Sequence, residues 1–130
     1  MKIHHIAIWT NDLERLRGFY ITYLGCRCNT KYRNESKMFE SYFLSFGEGT
    51  QIEIMQKSGI LHNANDPVLQ AIGLTHIAIE VGSRQKVEEH TERLRYDGYN
   101  IVSEPRQSGD GYFESCILDP DGNRLEILSV

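Results

Sequence analysis

His4-His5-Ile6-Ala7-Ile8 and Thr75-His76-Ile77-Ala78-Ile79 are one short pattern written twice, a histidine set directly before Ile-Ala-Ile. Each reads as a short packed β-strand. In the first copy His5, Ala7 and Trp9 fall on one face, and His4, Ile6 and Ile8 on the other. So brief an echo acquires meaning only if the chain after it repeats as well.

It does. After the first strand, Asn11 offers an N-cap with Glu14 in a capping-box position. Leu13, Leu16, Tyr20 and Leu24 then mark an amphipathic helix from about Asp12 to Leu24, closed by Gly25. Three extended stretches follow: Cys26 to Arg33 as a polar edge, Glu40 to Phe46, and Gln51 to Gln56 after the Gly47-Glu48-Gly49 turn. The second half runs in the same order. A strand from Leu74 to Val81 leads to a helix capped by Ser83, reaching about Tyr96 and ended by Asp97-Gly98, with Val87 and Leu94 on its apolar stripe. Strands at Tyr99 to Glu104, Tyr112 to Leu118 and Arg124 to Val130 complete it, the last two joined by the turn Asp119-Pro120-Asp121-Gly122-Asn123.

The spacing supports duplication. Gly25 stands as far before Glu53 as Gly98 stands before Glu126, and Gly49 precedes Glu53 as Gly122 precedes Glu126. The fold expected is α+β: two pseudo-twofold-related βαβββ modules forming a half-open, eight-stranded mixed sheet around a metal site. One domain covers residues 1–130, with module one at 1–57, a connection at 58–72 and module two at 73–130. Within the connection, Asn65-Asp66-Pro67 reads as a turn or helix start, and Val68 to Ile72 as one helical turn.

Composition narrows the class. The chain has 130 residues, 40% hydrophobic and 25% charged, as in an ordinary soluble protein of one compact unit. A net charge of −4 without a basic run excludes an electrostatic footprint for nucleic acid or an anionic membrane. No apolar run approaches the roughly 20 residues of a membrane span. The amino terminus begins a strand directly, without a signal-like apolar region. Cys26, Cys28 and Cys116, an odd number, read as reduced thiols of a cytoplasmic protein.

The repeat isolates four ionisable positions: His5 and Glu53 in module one, His76 and Glu126 in module two. Glu53 lies between Ile52 and Ile54, and Glu126 between Leu125 and Ile127. Alternation therefore sends both glutamates away from the helix-covered face. Singly, each residue is of a kind that any solvent-facing strand carries. Recurring in matched places, they become a set that a pseudo-twofold axis would gather. Unpaired charges so gathered cost on the order of several kcal/mol. A divalent cation relieves that cost, bound by two neutral imidazoles and two carboxylates, and Zn, Ni, Co, Mn and Fe all suit such donors. Register selects His5 over His4, which points to the other face as a structural residue. His62 and His90 read as surface residues.

Paired βαβββ modules, the His-Ile-Ala-Ile openings, Phe19-Tyr20 before Leu24-Gly25, and Asp119-Pro120-Asp121-Gly122-Asn123-Arg124-Leu125-Glu126 together resemble the vicinal oxygen chelate superfamily, the glyoxalase I, bleomycin-resistance and extradiol-dioxygenase group. The resemblance covers essentially the whole chain. It implies metal ligation by His5, Glu53, His76 and Glu126. A glutamate at the second position is similar to the glyoxalase I branch, whose reaction moves a proton through an enediolate with a ligand glutamate as base. By that resemblance the catalytic base is Glu126, with Glu53 the other candidate. The implied protein is a metal-dependent lyase acting on a small molecule, and a homodimer is common among relatives.

Other branches use the same frame. An extradiol Fe(II) dioxygenase would leave open the place that Glu53 fills. An acyl-CoA epimerase would need a basic cluster for the phosphates. A bleomycin-resistance-like binding protein would have no need of four ligand-type residues. Trp9 stands where bacterial glyoxalase I generally carries arginine, and Ile54-Met55-Gln56-Lys57 lacks its Tyr-Asn pair. The resemblance thus implies the metal centre without implying glutathione.

Overall fold

The computed structural model describes residues 1–62, 64 and 66–130. The chain divides into two compact units, Met1–Asn63 and Ala64–Val130.

In the first unit, β1 (His5–Trp9) leads into α1 (Leu13–Leu24). Then come β2 (Arg27–Cys28), β3 (Tyr32–Asn34), β4 (Phe39–Ser45) and β5 (Gln51–Lys57). The sheet order is β1-β5-β4-β2, with β3 also on β4. β1 and β5 pair in parallel, and the other pairs are antiparallel. Leu13, Leu16, Phe19 and Tyr20 of α1 are buried, as are Leu44, Ile52 and Ile54 of the sheet. One sheet face is thus covered by α1, and the residues between those strand positions lie on the other.

The second unit repeats the plan with β6 (Ile77–Glu80), α2 (Arg84–Tyr96), β7 (Ile101–Gln107), β8 (Phe113–Leu118) and β9 (Arg124–Ser129). Its order is β6-β9-β8-β7, with β6 and β9 parallel. Val87 and Leu94 of α2 are buried, together with Ile117, Leu125 and Ile127. Thr91 joins that apolar stripe, because its hydroxyl bonds the Val87 carbonyl at 2.7 Å and the Ser115 hydroxyl at 2.7 Å. A buried hydroxyl with partners on both sides costs little to bury.

The architecture is the expected mixed α+β duplication, with local differences. The single edge expected from Cys26 to Arg33 resolves into β2 and β3, so the strands number nine among the described residues and are shared between two sheets. Asp12, not Asn11, caps α1, its carboxylate accepting the Arg15 amide at 3.0 Å. Gly25 closes the helix at φ 65°, a left-handed conformation that glycine adopts without a Cβ penalty. Ser83 caps α2 as expected.

Within the expected helical turn of Val68 to Ile72, no helix forms among the described residues. Asp66 instead folds the chain back through its carboxylate, which accepts the Val68 and Leu69 amides at 2.7 and 3.1 Å. A single Gln70 N–H bond to the Asp66 carbonyl then ends the turn. Asn65, placed in the same expected turn, lies outside the described residues.

The Asp119 turn forms as its sequence suggests. Its carboxylate accepts the Asp121 and Asn123 amides, each at 2.9 Å, and the Asn123 side-chain amide. Burial holds the Asp119 carboxyl above its ordinary pKa. Cys26, Cys28 and Cys116 are free thiols. No helix among the described residues is long and apolar enough to cross a membrane.

Candidate metal centre

The Ile-Ala-Ile strands do more than present histidines. In the parallel β1–β5 pair, Ala7 lies opposite Glu53; in the β6–β9 pair, Ala78 lies opposite Glu126. A methyl group at each of these places leaves the glutamate room on the open face. The flanking isoleucines and leucines of β5 and β9 are buried beneath. Each glutamate therefore stands on a buried strand and faces away from the helix-covered side.

Within the first unit, His5 Nε2 lies 3.7 Å from Glu53 Oε2. Within the second, His76 Nε2 lies 3.1 Å from Glu126 Oε2. Both histidine side chains are a little over a third exposed, and both glutamates considerably less. The pairing repeats as the spacing predicts.

The other ring nitrogen is engaged in both copies by the preceding residue. His5 Nδ1 lies 2.8 Å from His4 Nδ1, and His76 Nδ1 lies 3.1 Å from Thr75 Oγ1. When the ligand histidine donates through Nδ1–H, its Nε2 lone pair is left facing the carboxylate. In that tautomer the Nε2 would be able to bind a metal. His4 departs here from its expected role as an inward structural residue. It precedes β1, where strand alternation does not govern its direction, and turns its ring edge-on to His5 at 5.1 Å between centroids.

The donor geometry suits a cation. Two ligands at about 2.1 Å from a metal, in neighbouring coordination places, stand roughly 3 Å apart. The two His–Glu separations are close to that edge. Among the described residues no three such side chains form a group, so each unit presents a two-donor edge. His5 with Glu53 in the first unit, and His76 with Glu126 in the second, are donors that could hold a cation.

The surroundings differ between the copies. Phe43 pairs with Glu53 across β4–β5, and its ring packs edge-on against His5 at 5.4 Å. Cys116 holds the matching place beside Glu126, and burial keeps its thiol protonated. Farther along the second sheet, Arg106 and Glu114 form an ion pair at 3.3 Å. The first copy therefore has an apolar aromatic wall, and the second a polar one. His62 is exposed, as expected, and its ring meets the Asn11 side chain at 3.1 Å. His90 is half-buried on α2 rather than on the open surface.

Comparison with known proteins agrees with this architecture. The family model described as Glyoxalase/Bleomycin resistance protein/Dioxygenase superfamily matches residues 2–127. A lactoylglutathione lyase of Salmonella typhimurium is 25% identical, the match covering 98% of this chain and 92% of that protein. The uncharacterised protein YqjT of Bacillus subtilis is 24% identical, with 98% of each chain covered. Among solved structures, the trypanothione-dependent glyoxalase I of Leishmania major superposes with a TM-score of 0.79 at 28% identity, covering 99% of this chain and 86% of that one. With a match over nearly its whole length, the duplicated His-Ile-Ala-Ile chain belongs to the glyoxalase, bleomycin-resistance and dioxygenase superfamily.

Proposed function

We propose that the protein is a divalent-metal-dependent lyase of the glyoxalase I type, isomerising a small hydroxy-carbonyl adduct by moving a proton between adjacent carbons. The observation that carries this reading is the repeated edge: each glutamate faces a histidine Nε2 whose Nδ1 is already engaged. His5, Glu53, His76 and Glu126 would supply two imidazoles and two carboxylates to the ion. A bound cation would supply Lewis acidity, drawing electron density from the substrate oxygens and acidifying the adjacent C–H.

The chain does the rest. Glu126 takes the proton from one carbon and returns it to the next, and Glu53 is the alternative base. A carboxylate set on a buried strand is positioned for such a transfer, which contributes about 10²–10⁴-fold to the rate. Phe43, against His5, keeps one side of the first edge dry. The working form we infer is a cytoplasmic homodimer with a small-molecule substrate.

Metal analysis tests the site. Purified protein is expected to retain Ni, Zn, Co, Mn or Fe, and His5→Ala and Glu126→Gln to lose most of it. Unchanged metal in both variants would overturn the assignment. Hemithioacetal isomerisation is then assayed with several thiols over Ni-, Zn- and Mn-loaded protein. Turnover falling at least about a hundredfold in metal-reloaded Glu126→Gln supports the base assignment. Absence of turnover with every thiol would move the protein to another branch of the superfamily, and tight ligand binding without metal would make it a binding protein.

A further inference from the structure

We propose that module one carries a subsite for a planar aromatic group bearing a carboxylate, the part of the substrate remote from His5 and Glu53. The inference rests on the proposed function only in treating the occupant as substrate.

Register puts Trp9, Phe39 and Tyr32 on the same open face as His5 and Glu53. Trp9 lies opposite Met55, Phe39 opposite Lys57 and Tyr32 opposite Ser41, each an even number of residues along its strand from the positions facing His5 and Glu53. Phe39 is the hub. Its ring meets Trp9 edge-on at 6.1 Å between centroids, and Tyr32 at the same distance. Trp9 is nevertheless 41% exposed and Tyr32 52% exposed. Rings locked to one another yet open on their outer faces form a platform for offset stacking. A cluster of large apolar side chains at a surface marks a binding place more often than chance exposure.

A cavity of about 440 Å³ adjoins this platform at the strand ends, lined by Phe39, Met38, Arg33 and Lys57 among others. Its volume is that of a small-molecule site. Met38 forms its rim at φ 48°, a left-handed conformation unusual for a non-glycine residue, with its side chain 69% exposed. The charges on that rim are not equivalent. Arg33 is spent on Glu40, at 2.9 Å. Glu35, on the turn after β3, lines the same cavity, whereas Lys57, with no carboxylate partner among the described residues, stands on the platform's own face directly across the ladder from Phe39. An ammonium beside an exposed ring platform selects an aromatic group that carries negative charge.

Size separates this place from the metal edge. His5 and Trp9 are four residues apart on one strand, roughly 13 Å. The occupant must therefore be joined to the reacting carbons by several atoms.

The test uses metal-free protein and a simple probe, 2-naphthylacetate, with cyclohexylacetate as the saturated control and 2-naphthylmethanol as the neutral one. Trp9 is the single tryptophan, so its indole N–H resonance reports occupancy without ambiguity. Expected are saturable shifts of that resonance and an affinity for 2-naphthylacetate about fivefold or more above that for cyclohexylacetate. Phe39→Leu should remove that preference. Lys57→Gln should bring the carboxylate and the alcohol to within about twofold of each other. Equal binding of cyclohexylacetate, or an undiminished preference in Phe39→Leu, would overturn the proposal. His5→Ala should leave naphthyl binding intact. Metal retention without aryl preference would thus defeat this inference alone, and aryl preference without metal retention would defeat the proposed function alone.

Discussion

His4 and Thr75 occupy the same place in the two modules and make the same kind of contact, each to the Nδ1 of the histidine that follows. Chemically they are unlike, so the repeat hides the correspondence when only residue identity is compared. Their common ability to accept a hydrogen bond is what matches. Removing it should loosen the ligand ring without touching the core. His4→Phe and Thr75→Val are expected to weaken metal affinity by about 10–100-fold each, measured by competition with a chromophoric chelator. The far-ultraviolet circular dichroism should be unchanged, because both residues are exposed. Wild-type affinity in both variants would show that the strand alone orients the imidazoles. Alignment with His76 selects His5 over His4, and in the structure it is His5 whose Nε2 stands beside Glu53, as His76 Nε2 stands beside Glu126. The sequence misjudged His4, because alternation predicts directions only inside the strand and His4 stands just before it.

At the scale of elements, α1 shows how two adjacent cap formers mislead. Asn11 and Asp12 are both suitable N-caps, and strand-to-helix spacing does not distinguish neighbours. Tertiary structure decides between them. Gln56, on β5, reaches across to accept the Leu13 amide at 2.9 Å and to donate to the Asn11 carbonyl at 3.2 Å. That pair of bonds pins residue 11 outside the helix and leaves the capping place to Asp12. Asp12→Ala is therefore expected to destabilise the protein by about 1 kcal/mol, the usual loss of a cap. Asn11→Ala should cost measurably less in the same urea titration, and equal losses would reject the assignment. The β2–β3 interruption was illegible for a related reason. A polar edge carries no alternation to count, and the break depends on Asn29, whose side chain accepts the Phe43 amide at 2.8 Å. Thr91 was overlooked because its place in an apolar stripe requires a partner, Ser115, from another element.

For the molecule as a whole, duplication was the legible part, since equal intervals between glycines and glutamates survive divergence of nearly everything between them. The two modules have kept their donors and changed their walls, aromatic beside His5 and polar beside Glu126, and that asymmetry emerges only when ladders place side chains on faces. The connection adds a further constraint. Leu61, Val68, Leu69 and Ile72 are all exposed, Leu69 at 81% and Ile72 fully, as is Leu74 just beyond it. So much aliphatic surface on a short stretch is a liability in a lone chain and an asset at an interface. A homodimer covering it should sediment at twice the 15.0 kDa chain mass at micromolar concentration. Introducing Leu69→Lys together with Ile72→Lys should shift it to the monomer, because two ammonium groups cannot be buried against a second apolar connection without large desolvation costs. Neither side chain contributes to the buried core, so the variant should keep its thermal transition when compared at dilutions where both proteins are monomeric. A wild-type protein that remains monomeric at tens of micromolar, or a double variant that still dimerises, would place the association surface elsewhere.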